Sequence, residues 1–355
     1  MKSIAILIDN RERFEFFKRR VLGNTESKFI FLHSNLFSFY LAKSNYFGNN
    51  IEHILLKSDG SNTVVNCVEY HKGNFVRFPK VDTSHLKNTL FDELWLFNGY
   101  QSVALQLKES LSFNNTRYYE IGNFPNKYQS NEHGINASSK YDVSSFRSDW
   151  NENSLLDLIE YIPPHTKKKI KTSVVEFGFN FLGGRFFKTV APVSGLLRTL
   201  VHAVNFKLCK REFRKYQDVA LPEKYHLFVG QVNADTQIVF QSDENNLSAI
   251  KKWHQDHKGS KIPLLYRFHP SERDLHVVKN IIKFCLVNDI LISNRGSIIQ
   301  SLRNASSVSM INSTSGIYAL LINKKVTCYG RSIFSEWKPE YAQTYVSAIL
   351  KNDVE

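Results

Sequence analysis

The sequence predicts an α/β fold of two units, each an open, mostly parallel sheet with helices on its faces. Three observations predict it. Short apolar runs alternate with helical patterns from Ile4 to Glu120. That alternation stops in a basic, aromatic-rich stretch and resumes at Tyr225. In the second unit the apolar runs lead directly into polar clusters, as strand ends in a ligand-binding sheet do.

In chain order, Ile4 to Ile8 reads as a strand ending at Asp9-Asn10, followed by a helix from Arg11 to Leu22. Lys28 to His33 is a second strand and Leu36 to Lys43 a short helix. Ile51 to Phe78 holds several short strands. Leu94 to Phe97 is a buried strand, Tyr100 to Leu111 a helix and Arg117 to Glu120 a strand. Phe124 to Asp149, rich in Asn, Ser and Gly, reads as a long irregular loop, and Ser154 to Tyr161 as a helix stopped by Pro163-Pro164. The basic stretch reads as helices joined at Gly183-Gly184 and Pro192.

The second unit has strands at Tyr225–Val229, 263–267, 289–293, 307–311 and 326–329. Its helices are placed at 246–257, 270–287, 297–304 and 314–322, with a terminal helix over 339–350. Two Rossmann-like halves, a helical connection and a terminal helix free to return to the first half make a GT-B type architecture, with the chemistry in a central cleft. The expected divisions are 1–164, 165–220, 221–337 and 338–355.

Composition narrows the possibilities. At 355 residues and 42% hydrophobic content the chain is long enough for two cores. No window approaches the roughly 18 apolar residues of a spanning helix. Met1-Lys2-Ser3 leads into a short apolar run that soon meets Asp9, Arg11 and Glu12, which is no secretory signal, so a cytoplasmic location is expected. The four cysteines form no Cys-x-x-Cys pair and no zinc spacing. His254 and His257 share a helix face but lack further ligands, so no metal is expected. The formal charge of +13 calls for phosphate-rich partners. It peaks between Lys167 and Lys215, where cations face only Glu176 and Glu212, and an anionic membrane surface and a solvated cationic face are both open readings.

Four clusters carry candidate chemistry. Arg267-Phe268-His269-Pro270 joins a strand to a helix, where Pro270 fits the first helical position. His269 there is either an anion-binding group or a capping side chain, and Arg267 adds a charge. Asn312-Ser313-Thr314-Ser315-Gly316 offers three hydroxyls and a glycine at the next such junction. Gly230 to Asp235 follows the first strand of the second unit, so Asp235 is a nucleophile, a base or a loop residue. Glu120 ends a strand of the first unit, where a base for an acceptor hydroxyl belongs. No Walker A loop, Gly-x-Gly-x-x-Gly motif or serine elbow is present.

Together these motifs resemble the bacterial capsule-synthesis and O-antigen β-Kdo transferases, where Kdo is 3-deoxy-D-manno-oct-2-ulosonic acid. The matching pieces are Gly230-Gln231 with Asp235, Arg267 to Pro270, Ser313 to Gly316, and Glu120 followed by Gly134-Ile135-Asn136. The His-Pro and Ser-rich motifs are shared with sialyl- and polysialyltransferases and with teichoic-acid glycerophosphotransferases. The resemblance implies a CMP-β-Kdo donor, a retained β linkage and a glycan acceptor, lipid-linked, at the inner face of a Gram-negative inner membrane. It implies Asp235 as nucleophile, Glu120 as base and His269 on the leaving group. Gln231, Arg267, Ser313, Thr314, Ser315 and Gly316 then bind the donor, and Asn123, Lys127 and Asn136 line the acceptor side. No metal or cofactor is implied. Another cytidine-nucleotide transferase is the nearest alternative; a sugar epimerase and a nucleic-acid-binding protein are more distant, and nucleic acid is not an expected partner.

Overall fold

The computed structural model of the chain describes residues 1–44, 50–73, 76–122, 124, 127–144, 170–190 and 196–352. The first unit begins with β1 (Lys2–Ile8), α1 (Arg11–Val21), β2 (Ser27–His33), α2 (Leu36–Lys43), β3 (Ile51–Leu55) and β4 (Ser58–Thr63). It continues with α3 (Val68–His71), β5 (Phe78–Val81), β6 (Leu90–Phe97), α4 (Ser102–Ser110), β7 (Ser112–Ile121) and β8 (Lys127–Asn131). β1 and β2 contain the apolar runs Ile4 to Ile8 and Phe29 to Leu32 because both their faces are covered there. Ile4, Ile6, Phe29 and Phe31 enter one core with Phe14 and Phe17, while Ala5, Leu7, Ile30 and Leu32 enter the other with Val103 and Leu107. Asn10 and Asn35 fix the starts of α1 and α2 by accepting from Arg13 N (2.9 Å) and Ser38 N (2.7 Å).

Two helices follow, α5 (Ile170–Phe186) and α6 (Leu196–Arg214). The second unit then runs β9 (Tyr225–Val229), α7 (Thr236–Gln241), α8 (Asn246–Asp256), β10 (Leu264–Arg267), α9 (Leu275–Val287) and β11 (Leu291–Ile292). It closes with α10 (Ile298–Asn304), β12 (Ala305–Met310), α11 (Ser315–Leu321), β13 (Lys325–Cys328), α12 (Pro339–Thr344) and β14 (Lys351–Asn352).

The first sheet has the order β14-β8-β7-β6-β1-β2-β3, parallel except at β8 and β14. The second is parallel throughout, in the order β11-β10-β9-β12-β13. In each, the chain starts in the middle, builds to one side, then crosses to the other. The crossing leaves a crevice above the carboxyl ends of β1 and β6 in one sheet, and of β9 and β12 in the other.

The units touch at named points. Phe240 of α7 stacks on Tyr100 with centroids 4.5 Å apart, and Gln241 Nε2 donates to Tyr100 Oη (3.1 Å) and Ser138 Oγ (2.9 Å). Phe124 and Val143 share a core with β9, β12 and α11. After α12 a π turn over Tyr345–Ile349 sends Tyr345 Oη to Gln129 Oε1 (2.8 Å), and β14 pairs antiparallel with β8.

Three expectations need correction. The span 124–149 is not wholly irregular: it holds β8 and a 3-10 turn over Asn136–Ser138. The helix expected from Pro270 starts at Leu275, because Glu272 Oε1 accepts from Arg273 N and Asp274 N, and Asp274 caps His276 N and Val277 N. α5 runs through Gly183-Gly184 to Phe186, and the chain turns afterwards at Lys188 (φ 51°), where Gly183 O accepts from Phe187 N and Thr189 N. The helix expected over 154–161 lies outside the described residues.

Candidate functional site

The crevice of the second sheet opens beside β9. Gly230 is required there, since a Cβ would stand 2.3 Å from Tyr266 Oη, and its N–H bonds Arg267 O at 2.9 Å. Gln231 follows and is buried. Its Nε2 donates to Asn312 Oδ1 (2.9 Å), and its Oε1 accepts from Asn312 N (2.9 Å). Asn312 Nδ2 in turn donates to Gln237 O and Arg331 O. Gln231 therefore clasps the loop after β9 to the loop after β12. Its oxygen and one of its two Nε2 hydrogens go to that clasp.

Asp235 begins α7. Its Oδ1 accepts from Gln237 N (3.1 Å) and Thr236 Oγ1 (3.2 Å). Both bonds fall on one oxygen, so Oδ2 is uncommitted among the described residues. Asn233 N is held by Glu272 Oε2 at 2.7 Å, which ties this loop to the one after β10.

Glu120 comes from the other sheet, at the end of β7. Gln129 Nε2 donates to its Oε2 at 3.3 Å. Gln129 is itself oriented, because its Oε1 accepts from Tyr141 Oη (2.9 Å) and Tyr345 Oη (2.8 Å). The Glu120 carboxyl is pushed up to about 8, first by burial and then by the charge of Asp235, with Arg13 and Gln129 opposing. Asp235 is thus within electrostatic reach of Glu120 although the two belong to different sheets. It also reaches His269, whose pKa is lowered by burial and partly restored by Asp235. His269 Nδ1 accepts from Ser271 N at 3.1 Å. An accepting Nδ1 fixes the neutral tautomer with hydrogen on Nε2, a donor.

Arg267 does not join them. Its guanidinium donates to Arg295 O (2.8 Å), Gly296 O (2.6 Å) and Ser301 Oγ (3.0 Å), so it braces the loop before α10 with three of its five N–H donors. Ser313 is buried, and its hydroxyl bonds Ser315 Oγ (3.2 Å). Thr314 precedes α11 without a side-chain capping bond. Gly316 packs where a Cβ would stand 2.2 Å from the Phe334 ring, a role in helix packing.

Thr314 lines a small pocket between the two units with Gln129, Asn136, Ala137, Gln237 and Phe334. Asn136 is buried there in a left-handed conformation (φ 54°), and its Nδ2 has no hydrogen-bond partner. Lys127 points elsewhere: its Nζ donates to Asn352 Oδ1 at 2.7 Å on the sheet edge. Asn123 lies outside the described residues. Among the described residues no group of three or more His, Cys, Asp or Glu is placed to hold a metal ion.

Arg13, Gln129 and Gln237 were not singled out from sequence. Arg13 follows the first strand at its crossing point, so topology was a usable signal for it. Gln129 and Gln237 had none, because neither lies in a motif and both act through a partner from another element.

The arrangement is one of two α/β sheets, with a carboxyl from each, Glu120 and Asp235, in electrostatic reach of the other and a small polar pocket between the units. Residues 186–341, which take in α6 and most of the second unit, match the family described as capsule polysaccharide biosynthesis protein. No curated protein sequence matches the chain. Among solved structures, two chains of Thermosulfurimonas dismutans KpsC are similar. The one titled beta Kdo 2,7 transferase is 15% identical, covers 99% of this chain and 92% of its own, and has a TM-score of 0.46. The one titled beta Kdo 2,4 transferase is 10% identical, covers 98% and 95%, and has a TM-score of 0.44. The wall teichoic acid polymerase TagF matches at 10% identity over 98% of this chain and 78% of its own, with a TM-score of 0.24.

Proposed function

We propose that the protein is a GT-B type glycosyltransferase that moves Kdo from CMP-β-Kdo to a lipid-linked glycan acceptor with retention of configuration. The observation that carries this reading is that Asp235, from one sheet, acts electrostatically on both Glu120 of the other sheet and His269 of its own. The family match over 186–341 supports a role in capsule assembly. The motif resemblance supports the CMP donor. The first 164 residues would receive acceptor, and 221–337 would hold donor, with 165–220 connecting them and 338–355 returning.

In the first step Asp235 Oδ2 attacks the anomeric carbon, and the bond to CMP breaks with its electron pair leaving on phosphate oxygen. His269 donates from Nε2 to that oxygen, and the Thr314 hydroxyl adds a second donor. In the second step an acceptor hydroxyl attacks the same carbon, its proton passes to Glu120, and the ester electron pair returns to Asp235. Charge orders the steps. While Asp235 is ionised, Glu120 is held protonated near neutral pH. Esterification removes that charge, so Glu120 surrenders its proton more readily when a base is needed. Asn136 Nδ2 offers the acceptor an unspent donor. Neither metal nor cofactor takes part in this scheme.

The test is CMP release from CMP-Kdo, CMP-sialic acid and CDP-glycerol with a Kdo-accepting glycolipid. Release from CMP-Kdo that falls at least about 1,000-fold in Asp235→Asn supports the reading. Release from only another donor reassigns the sugar, and wild-type turnover in Asp235→Asn removes the nucleophile.

A further inference from the structure

Two consecutive helices carry apolar side chains that the fold does not cover. On α5 and just after it, Phe181 (49%), Leu182, Phe186 (68%) and Phe187 are exposed. On α6 Val201, Val204 and Leu208 are exposed at positions i, i+3 and i+7, a single stripe along the helix. This stripe is separate from the buried side of α6, where Cys209 and Phe213 pack into the core with α9. α5 is likewise anchored, since Phe179 meets Phe37 and Tyr40 of α2. Both helices are therefore held to the body of the protein by one side and present a second apolar side outward.

Cations flank these stripes. Arg185 and Lys188 follow Leu182, and Lys207, Lys210, Arg211 and Arg214 border Leu208, all exposed. Among the described acids of α6, Glu212 is already bonded to Lys215 at 2.6 Å. An exposed apolar stripe bordered by lysine and arginine matches one kind of surface: acyl chains below anionic headgroups. Nucleic acid supplies phosphate and base faces for Phe, but gives the aliphatic stripe of Val201, Val204 and Leu208 nothing to bury in. A second copy of the chain would bring the same cations against themselves. No helix among the described residues is long and apolar enough to cross a membrane, so the fitting geometry lies in the interface.

We propose that the outward faces of α5 and α6 dock the protein on an anionic phospholipid bilayer, with Phe181 and Phe186 inserted below the headgroups. The proposal places the lipid part of the acceptor and deepens the transferase reading without depending on the sugar.

The experiment is flotation of the full chain with phosphatidylcholine vesicles, and with vesicles in which about a third of the lipid is phosphatidylglycerol. The expected result is recovery with the anionic vesicles, weakened by high salt, and little recovery with phosphatidylcholine alone. Phe181→Ser combined with Phe186→Ser should lower the partition coefficient at least about tenfold at unchanged melting temperature. Release of CMP onto a short soluble acceptor should be untouched by the same pair, which separates failure of docking from failure of the enzymatic reading. Equal flotation of the Phe variant and wild type overturns insertion. Absence of flotation, a salt-dependent shift with RNA in its place, or self-association through this face overturns the bilayer as occupant.

Discussion

Glu120 and Asp235, from different sheets, are electrostatically coupled: the charge of Asp235 adds to burial in pushing the Glu120 carboxyl up to about 8. Each is positioned by its own unit. Gln129 fixes Glu120 at the end of β7, and the first turn of α7 fixes one oxygen of Asp235. Neither carboxylate alone distinguishes this site from an ordinary strand end. Their mutual electrostatics do.

The first consequence is a coupled titration. In Asp235→Asn the neighbouring charge is gone, so the Glu120 midpoint should drop below 8 while burial still keeps it above an ordinary glutamate. Carbon-13 NMR of glutamate-labelled protein reads that midpoint directly. An unmoved Glu120 resonance in the variant would mean the two carboxyls do not communicate.

Stability should carry the same signature. A carboxyl raised on folding binds more protons in the native state than in the unfolded one between its two pKa values. The stability it contributes is complete below the unfolded value, near 4.3, and is lost as pH rises through about 8. Glu120→Gln removes that loss. Its melting temperature relative to wild type should climb between about pH 5 and pH 8 and then level off. A pH-independent difference would refute the raised pKa.

The Gln231–Asn312 clasp yields a third expectation. Gln231→Ala leaves Asn312 N–H and Oδ1 buried without their partner, at a cost of about 1–3 kcal/mol for an unsatisfied group. Urea unfolding should register that loss, together with weaker CMP binding as the loops after β9 and β12 part. Wild-type stability in Gln231→Ala would show that the clasp is dispensable.

These relationships mark the limit of what the chain discloses on its own. The parallel α/β character was legible because buried strands carry apolar runs, Ile4 to Ile8 in β1 and Leu227 to Val229 in β9. Asp235 and Glu120 were legible as strand-end carboxyls, and Thr314 and Asn136, both expected near ligand, do line one pocket. The bracing bonds of Gln231 and Arg267 were not legible, because side-chain chemistry suits a phosphate and a buried brace equally. Only the partners decide, and those partners lie 81 and about 30 residues away. β8 and β14 escaped notice because they are short, polar strands at the antiparallel margin of the sheet, β14 pairing with β8 and β8 with β7.

His269 supplies a fourth expectation. With Nδ1 accepting from Ser271 N, the ring offers Nε2–H to a ligand, and burial keeps it neutral. His269→Ala should weaken CMP binding measured by calorimetry about 10- to 100-fold, the loss of one buried donor to a charged oxygen. His269→Asn, whose side-chain amide keeps a donor, should recover part of it. Identical affinity in wild type and His269→Ala would leave the histidine as a turn-stabilising group only.

The order of the two chemical steps gives the most discriminating expectation. In the proposed scheme attack by Asp235 needs no base, since a carboxylate nucleophile has no proton to lose and the leaving group is a phosphate monoester dianion stabilised by donors. Discharge of the ester does need one, to take the acceptor proton. Glu120→Gln should therefore release CMP in a burst approaching one equivalent per enzyme and then stall. The stalled protein should carry the sugar on Asp235, visible as a mass increase of the intact chain and of the peptide that holds Asp235. A double variant with Asp235→Asn should show neither burst nor adduct. Linear, slow CMP release by Glu120→Gln with no added mass would show that Asp235 forms no covalent intermediate, and the displacement would then have to proceed without it.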